Sequence, residues 1–276
     1  MLRLKVFIKN FLAGIGVTSA FVTILWSLWS KELSALIKGN ELCFIFVIIG
    51  VNLAVSLYSV KTKKKLSIKL TTQVKAAIYY GDLFDSQGII VIPVNEYFDT
   101  IVDEKIISSN TIHGYFIKNY FGGNNKELKQ KINKSLTSIP PLEKDSNRKQ
   151  GNKNKYPLGT VAQVNKGDNI FYLVALTRFN GNNRAEVKKS EYQRVLCDLF
   201  DYIEQNSQGE KVSIPLIGGG HSGVDLSKQK LLEFLLFSIA LNDKLTLING
   251  MNIILHSSLE NDIDLNRIYY HYIIRA

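Results

Sequence analysis

Ile214-Pro215-Leu216-Ile217-Gly218-Gly219-Gly220-His221-Ser222-Gly223-Val224 reads as the end of a buried strand, a glycine-rich turn and the approach to a helix starting near Asp225. Glycines let a backbone approach an anion closely, and successive N–H groups can cradle phosphate oxygens. The field of a helix N-terminus adds to that attraction. The stretch lacks the Lys-Ser/Thr pair of a P-loop and the glycine spacing of a dinucleotide fingerprint. It therefore predicts an α/β domain with a phosphate-compatible turn, without naming a nucleotide class.

Working outward, strands and helices alternate. Leu66–Tyr80 reads as a strand or hairpin, and Gly88–Val94 as a short apolar strand covered on both faces. Thr111–Phe121 and Lys126–Leu136 read as helices. Gly159–Val164 and Ile170–Leu176 read as strands around a turn at Lys166-Gly167-Asp168. Glu186–Gln205 has helical spacing, Lys211–Leu216 is a strand, and Asp225–Leu241 is an apolar helix capped by Asp225 or Ser227. Leu245–Leu255 is strand-like with a break at Asn249-Gly250, and Asp262–Arg275 closes the chain as a helix. This order predicts a three-layer α/β/α domain around a mixed sheet over residues 66–276. Residues 140–157, PPLEKDSNRKQGNKNKYP, have almost nothing apolar to bury and read as an exposed, mobile insertion.

Two polar residues stand where ligands bind in such sheets. Asp82, in Gly81-Asp82-Leu83, follows a strand ending at Tyr80, and Asn95 ends the run Ile89-Ile90-Val91-Ile92-Pro93-Val94-Asn95. Both lie at carboxyl ends of strands. An Asp there can accept from a base amino group, and an Asn can bridge ribose hydroxyls. The plainer alternative is a turn Asp and a capping Asn.

The first 65 residues are of another kind. Phe11–Ser30 is twenty residues without a charge, and Leu42–Val60 is nineteen. At about 1.5 Å per residue, each can cross a hydrocarbon core as a helix. A cleaved signal peptide would have a shorter apolar stretch, and a soluble hairpin would show a polar face. Residues 1–65 are therefore read as a transmembrane hairpin with helices over about 11–30 and 42–60, joined by a loop at 31–41. Arg3, Lys5, Lys9, Lys61, Lys63, Lys64 and Lys65 flank it, which predicts both termini on the cytoplasmic side. Trp26 and Trp29 suit the outer interface. Asn52 inside the second run needs a partner, either across an oligomer or pore contact or within the hairpin near Gly14, Gly16 and Ser19.

The net charge of +10 belongs to this region. Residues 1–69 hold ten Lys/Arg against two Glu, whereas residues 70–276 hold 24 against 22 acidic residues. That distribution points to anionic lipid rather than nucleic acid. Cys43 and Cys197 show no metal spacing, and no zinc-like cluster forms with His113, His221 or His256, so no metal site is expected.

GDLF, then IIVIPVN, then IPLIGGGHSG, in that order, resemble a macro domain over roughly residues 70–276. Macro domains bind ADP-ribose and related nucleotides. The resemblance implies that Asp82 reads the adenine amino group, Asn95 meets the distal ribose, and Gly218–Val224 wraps the diphosphate. It differs at Ile92, where a first Asn is usual, and in a spacing from Asp82 to Asn95 one residue shorter than usual. The glycine run that normally follows is replaced by Glu96–Asp103, leading to His113-Gly114. The implied ligand contacts are Asp82, Leu83, Asn95, Phe98, His113, Gly114, Pro215, Gly218, Gly219, Gly220, His221, Ser222, Gly223 and Val224.

A two-helix hairpin before a divergent macro domain resembles the membrane effectors of type II Thoeris antiphage systems. That resemblance implies a binding module of the bacterial inner membrane, not an enzyme, with no cofactor and no catalytic residue. Its implied ligand is an ADP-ribose-derived signal, a histidine conjugate made by a TIR-domain protein. Binding would drive homo-oligomerisation, membrane disruption and abortive infection. The alternatives are a membrane-tethered ADP-ribosyl hydrolase and a passive ADP-ribose-binding anchor.

Overall fold

The computed structural model describes residues 2–122, 125–179, 185–220 and 224–274. The chain divides into two compact units, Met1–Lys63 and Lys64–Ala276.

In the first unit, α1 spans Leu2–Leu28, α2 Ser30–Ile37 and α3 Glu41–Ser59. The first helix begins nine residues before the uncharged run, because nothing from Leu2 to Asn10 breaks a helix and lysines propagate one well. The expected loop is mostly α2, whose SKELSALI is rich in helix formers; it stops before Gly39, at φ +83°. Val6–Leu28 and Glu41–Ser59 are long and apolar enough to cross a membrane. Burial in this unit is inverted. Leu12, Phe21, Phe46 and Val55 are each more than 60% exposed, while Asn52 and Ser56 are buried. Asn52 Nδ2 donates to the Ile48 carbonyl (2.8 Å) and to Thr18 Oγ1 (3.3 Å), and Asn10 Nδ2 donates to Ser59 Oγ (2.8 Å). Gly14 makes room for this seam: a Cβ there would collide with Asn52 Oδ1. Of the two partners weighed for Asn52, the structure supplies the one inside the hairpin.

The second unit is built on a sheet ordered β1-β2-β10-β9-β3-β7-β6. Its strands are β1 Lys65–Lys69, β2 Lys75–Tyr80, β3 Ile89–Asn95, β6 Val161–Lys166, β7 Asn169–Phe179, β9 Val212–Pro215 and β10 Met251–Leu255. The short strand β8, Ala185–Glu186, pairs with β7, and β4 (Glu143–Lys144) pairs with β5 (Asn154–Lys155) in a separate ribbon. The central strands β2, β10, β9, β3 and β7 are mutually parallel; β1 and β6 are antiparallel edges. The period-2 alternation of side chains feeds two cores. Ile89 and Val91 enter one, with α6 (Lys189–Asn206) and α7 (Lys228–Ala240). Ile90, Ile92 and Val94 enter the other, with α4 (Ile112–Phe121) and α5 (Asn125–Ser135). The result is the expected three-layer α/β/α arrangement around a mixed sheet.

Several boundaries differ for local reasons. The helix expected from Asp225 starts at Lys228, because Ser227 takes the Lys230 N–H as its cap. Glu186 belongs to β8, so α6 starts at Lys189. Leu245–Leu247 has no regular structure, Ile248 and Asn249 form a turn, Gly250 adopts φ +70°, and only Met251–Leu255 is strand. The last helix is a short α8, Leu265–Tyr269, followed by a π-helical turn Tyr270–Ile274.

Residues 140–157 are mostly exposed, as expected, but they are not without structure. They form the β4–β5 ribbon and pack on the segment after β3. Arg148, 9% exposed in its side chain, forms a bidentate pair with fully buried Asp99 (2.6 and 2.9 Å). Polar contacts tie the segment to the domain, which its lack of apolar residues does not preclude.

Candidate functional site

Because the five central strands run the same way, their carboxyl ends share one edge of the sheet, and a cleft of about 1330 Å³ lies along it. It is lined by residues following β2, β10, β9, β3 and β7. Asp82 follows β2, the glycine turn follows β9, and Asn95 ends β3. The ends of β2 and β3 are three strand positions apart, about 14 Å at the usual spacing. The turn sits between them. An elongated ligand is required to touch all three.

At the β2 end, Asp82 is exposed and accepts the Phe84 N–H (2.9 Å), capping a single 3-10 turn, Leu83–Asp85. That fixes the carboxylate's direction without burying it. Phe84 stacks on Tyr115 of α4, centroids 4.6 Å apart, and both rings line the cleft. Leu83 lines it too, with its own side chain buried.

In the middle, Pro215, Leu216, Gly218, Gly219 and Gly220 form the floor. Gly218 adopts φ +81°, and a Cβ on it would press at 3.1 Å on both Tyr192 and Val224. The turn is tied from behind. The buried Tyr192 hydroxyl donates to the Ile217 carbonyl (2.8 Å), and Lys228 Nζ bonds the Gly219 carbonyl. Burial alone pushes the Tyr192 phenol well above its ordinary range, so it stays a donor. Val224 is 8% exposed and belongs to the core, away from the lining. His221, Ser222 and Gly223 lie outside the described residues.

At the β3 end, Asn95 is 5% exposed and lines the cleft after a register shift between Val94 and Asn95. Its Oδ1 accepts the N–H groups of Tyr97 (3.0 Å) and Asp99 (3.3 Å). Phe98 does not join the cleft. It adopts φ +50°, is 1% exposed, and packs edge-on against Tyr156 in the core. Gly114 is not among the lining residues either: its side-chain position is filled by the Ser108–Ser109 backbone. His113 lines the cleft and is buried, and Nε2 has no hydrogen-bond partner among the described residues. Desolvation lowers its pKa to about 3, against a smaller raising effect of the Asp99 backbone, so the ring is neutral. Glu96, also buried, has its carboxyl pushed up by desolvation, partly offset by Lys155.

Three further segments complete the wall; the first lies in the stretch between Glu96 and His113 that the sequence places where the glycine run is missing, and the other two were not anticipated. The loop Glu104–Thr111 closes one side, braced by Asp103 accepting from Lys105 and Ile106 and by Glu104 accepting from Ser109. Thr177 and Phe179 extend β7 into the wall, and His256–Leu259 follow β10. A readable trace existed for the first: Thr111 caps α4 by accepting from Gly114 (3.0 Å), which sets where the loop must end. Among the described lining residues the charges are Asp82, Glu104 and Lys105 besides two histidines. No group of three or more His, Cys, Asp or Glu among the described residues is arranged to hold a metal.

A family model described as Thoeris protein ThsA, Macro domain, matches residues 76–256. Over 169 residues the chain is 35% identical to Thoeris protein ThsA of Bacillus amyloliquefaciens (strain Y2), a match covering 59% of this chain and 55% of that one. The chain thus spans about half the length of the curated relative it matches. Solved macrodomains of Oceanobacillus iheyensis share the fold at 12% identity. A point mutant with ADPR gives a TM-score of 0.52 over 77% of this chain and all of that one. The form with MES bound gives 0.53 over 77% and 98%.

Proposed function

The chain belongs to the Thoeris ThsA macro-domain family, and on that premise we propose that it is a signal-gated membrane effector of antiphage defence. Its cleft takes an ADP-ribose-derived nucleotide, a histidine conjugate supplied by a TIR-domain protein. Occupancy drives self-association, and the two apolar helices, inserted in the bacterial inner membrane with both termini cytoplasmic, then compromise the bilayer.

The observation that carries this reading is the order of groups along one cleft: Asp82 after β2, the glycine turn after β9 and Asn95 at the end of β3. An adenosine group at Asp82 leaves the diphosphate over the turn and the distal ribose at Asn95. The related Oceanobacillus macrodomain solved with ADPR favours the same ligand class here. The Phe84–Tyr115 stack offers an aromatic surface beside Asp82.

The protein acts by binding, not by turnover. Among the described lining residues the carboxylates are Asp82 and Glu104; each is oriented by a backbone N–H, from Phe84 and Ser109, and neither is paired with a second carboxylate. Gating follows from linkage: a ligand that prefers the assembled state shifts the population toward it.

The test is calorimetric titration of the full chain in detergent with ADP-ribose and its histidine conjugate, followed by sizing. Binding of both, tighter for the conjugate, with growth in particle size is expected. Absence of binding by either nucleotide refutes the ligand reading; binding without growth refutes the assembly step; release of free ADP-ribose from the conjugate makes the protein a hydrolase.

A further inference from the structure

We propose that Arg148, carried on the ribbon between β4 and β5, is a positioning residue that sets Asn95 as a hydrogen-bond donor facing the ligand. This rests on the ligand reading above for its consequence, though not for its geometry.

An amide side chain offers one acceptor oxygen and one donor nitrogen. At Asn95 the oxygen is already taken by two backbone N–H groups, those of Tyr97 and Asp99. The nitrogen is then the atom left to the cleft that Asn95 lines. This choice persists only while residues 97–99 hold their path, and that path is costly. Phe98 sits at φ +50°, a left-handed conformation that a bulky residue rarely adopts.

The ribbon holds that path in place. Arg148 grips both oxygens of Asp99, and its guanidinium lies 4.0 Å from the centroid of the Tyr97 ring. Asn152 donates its backbone N–H to Asp99 (2.7 Å) and its side-chain amide to the carbonyls of Tyr97 (3.1 Å) and Phe98 (2.7 Å). The Asp99 carboxylate thus accepts three hydrogen bonds from the ribbon. Its own backbone N–H reaches Asn95, so Arg148 is two hydrogen bonds from the ligand-facing amide. The fork is what matters, because a bidentate grip fixes direction and a point charge does not.

Arg148→Ala would strand a buried carboxylate and put folding at risk. Arg148→Lys keeps the charge and removes the fork. In the full chain in detergent, this variant is expected to bind ADP-ribose about tenfold more weakly, the size of one misplaced hydrogen bond. Binding of AMP, which lacks the distal ribose, should stay within about twofold. In an Asn95→Ala background the same change should have no further effect on ADP-ribose. Hydrogen exchange should speed up at the Tyr97 and Asp99 amides and not at Ala77 or Ile253. Equal weakening toward both nucleotides, or full additivity with Asn95→Ala, would overturn the proposal. Unchanged exchange at residues 97 and 99 would overturn it as well. If the wild type binds neither nucleotide, the functional reading fails, and the exchange result alone decides the positioning role.

Discussion

Asp82 and Asn95 stand at opposite ends of one cleft and are held in opposite ways. Asp82 is exposed, and its fixed contact is with the N–H two residues ahead. Asn95 is buried, and the loop that fixes it is clamped by Arg148, 49 positions beyond Asp99. The first end is a local turn capped within three residues. The second is a tertiary construction, with a bulge, a left-handed Phe98 and a buried ion pair, that no short segment could hold alone. A site built this way has one tolerant end and one brittle end.

The sharpest way to break that contrast is a matched pair of variants. Asp99→Ala leaves the Arg148 guanidinium buried without its partner and is expected to cost about 3–5 kcal/mol. Asp82→Ala removes a cap from one short turn and should cost no more than about 1 kcal/mol. Urea unfolding of the full chain in detergent, followed by tyrosine fluorescence, measures both; similar losses would erase the distinction.

Between the ends, Gly218→Val forces a β-branched residue into φ +81° against Tyr192 and Val224. Strain of up to about 3 kcal/mol is expected, with ADP-ribose binding falling more than the global stability, because the turn floors the cleft. Titration beside a melting curve separates the two effects.

Acid should act on the brittle end. The His113 pKa is about 3 when folded, below its ordinary value. Below about pH 6.5 the unfolded chain therefore takes up a proton that the folded one refuses. Stability falls as pH drops from about 6.5 toward 3, by about 2 kcal/mol between pH 7 and pH 5. His113→Phe should flatten that dependence, and an unaltered slope would assign it elsewhere. A comparably small effect is expected at the tolerant end: Phe84→Ala breaks the stack on Tyr115, a contact of about 1 kcal/mol, and should weaken adenosine nucleotides by about fivefold in a titration.

The same division explains what could be read in advance. The strand at Ile89–Val94 was legible because its run of Ile and Val, interrupted only by Pro93, suits a strand covered on both faces. The caps Thr111 and Ser227 are marked by side chains that accept locally. Asp82 was legible as a strand-end turn for the same reason. Phe98 and Gly114 were placed at the ligand because they lie on the stretch that replaces the glycine run and on the His113-Gly114 pair it leads to. Their true surroundings, the Tyr156 ring and the Ser108–Ser109 backbone, come from elsewhere in the chain. The polar run at 140–157 was read as free because loops are usually judged by what they lack; its partner, Asp99, is visible only once the fold brings them together.

Composition and periodicity alone determined the two apolar helices, the alternation of strands and helices, and the glycine turn, since each depends on neighbours within a few residues. Only the tertiary structure decided that Asn52 is satisfied inside its hairpin, that His113 is buried and neutral, and that a ribbon of polar residues governs Asn95. The physical reason is one of range: backbone propensity and capping act along the chain, whereas desolvation and ion pairing act through space, between groups whose separation in sequence sets no limit on their contact.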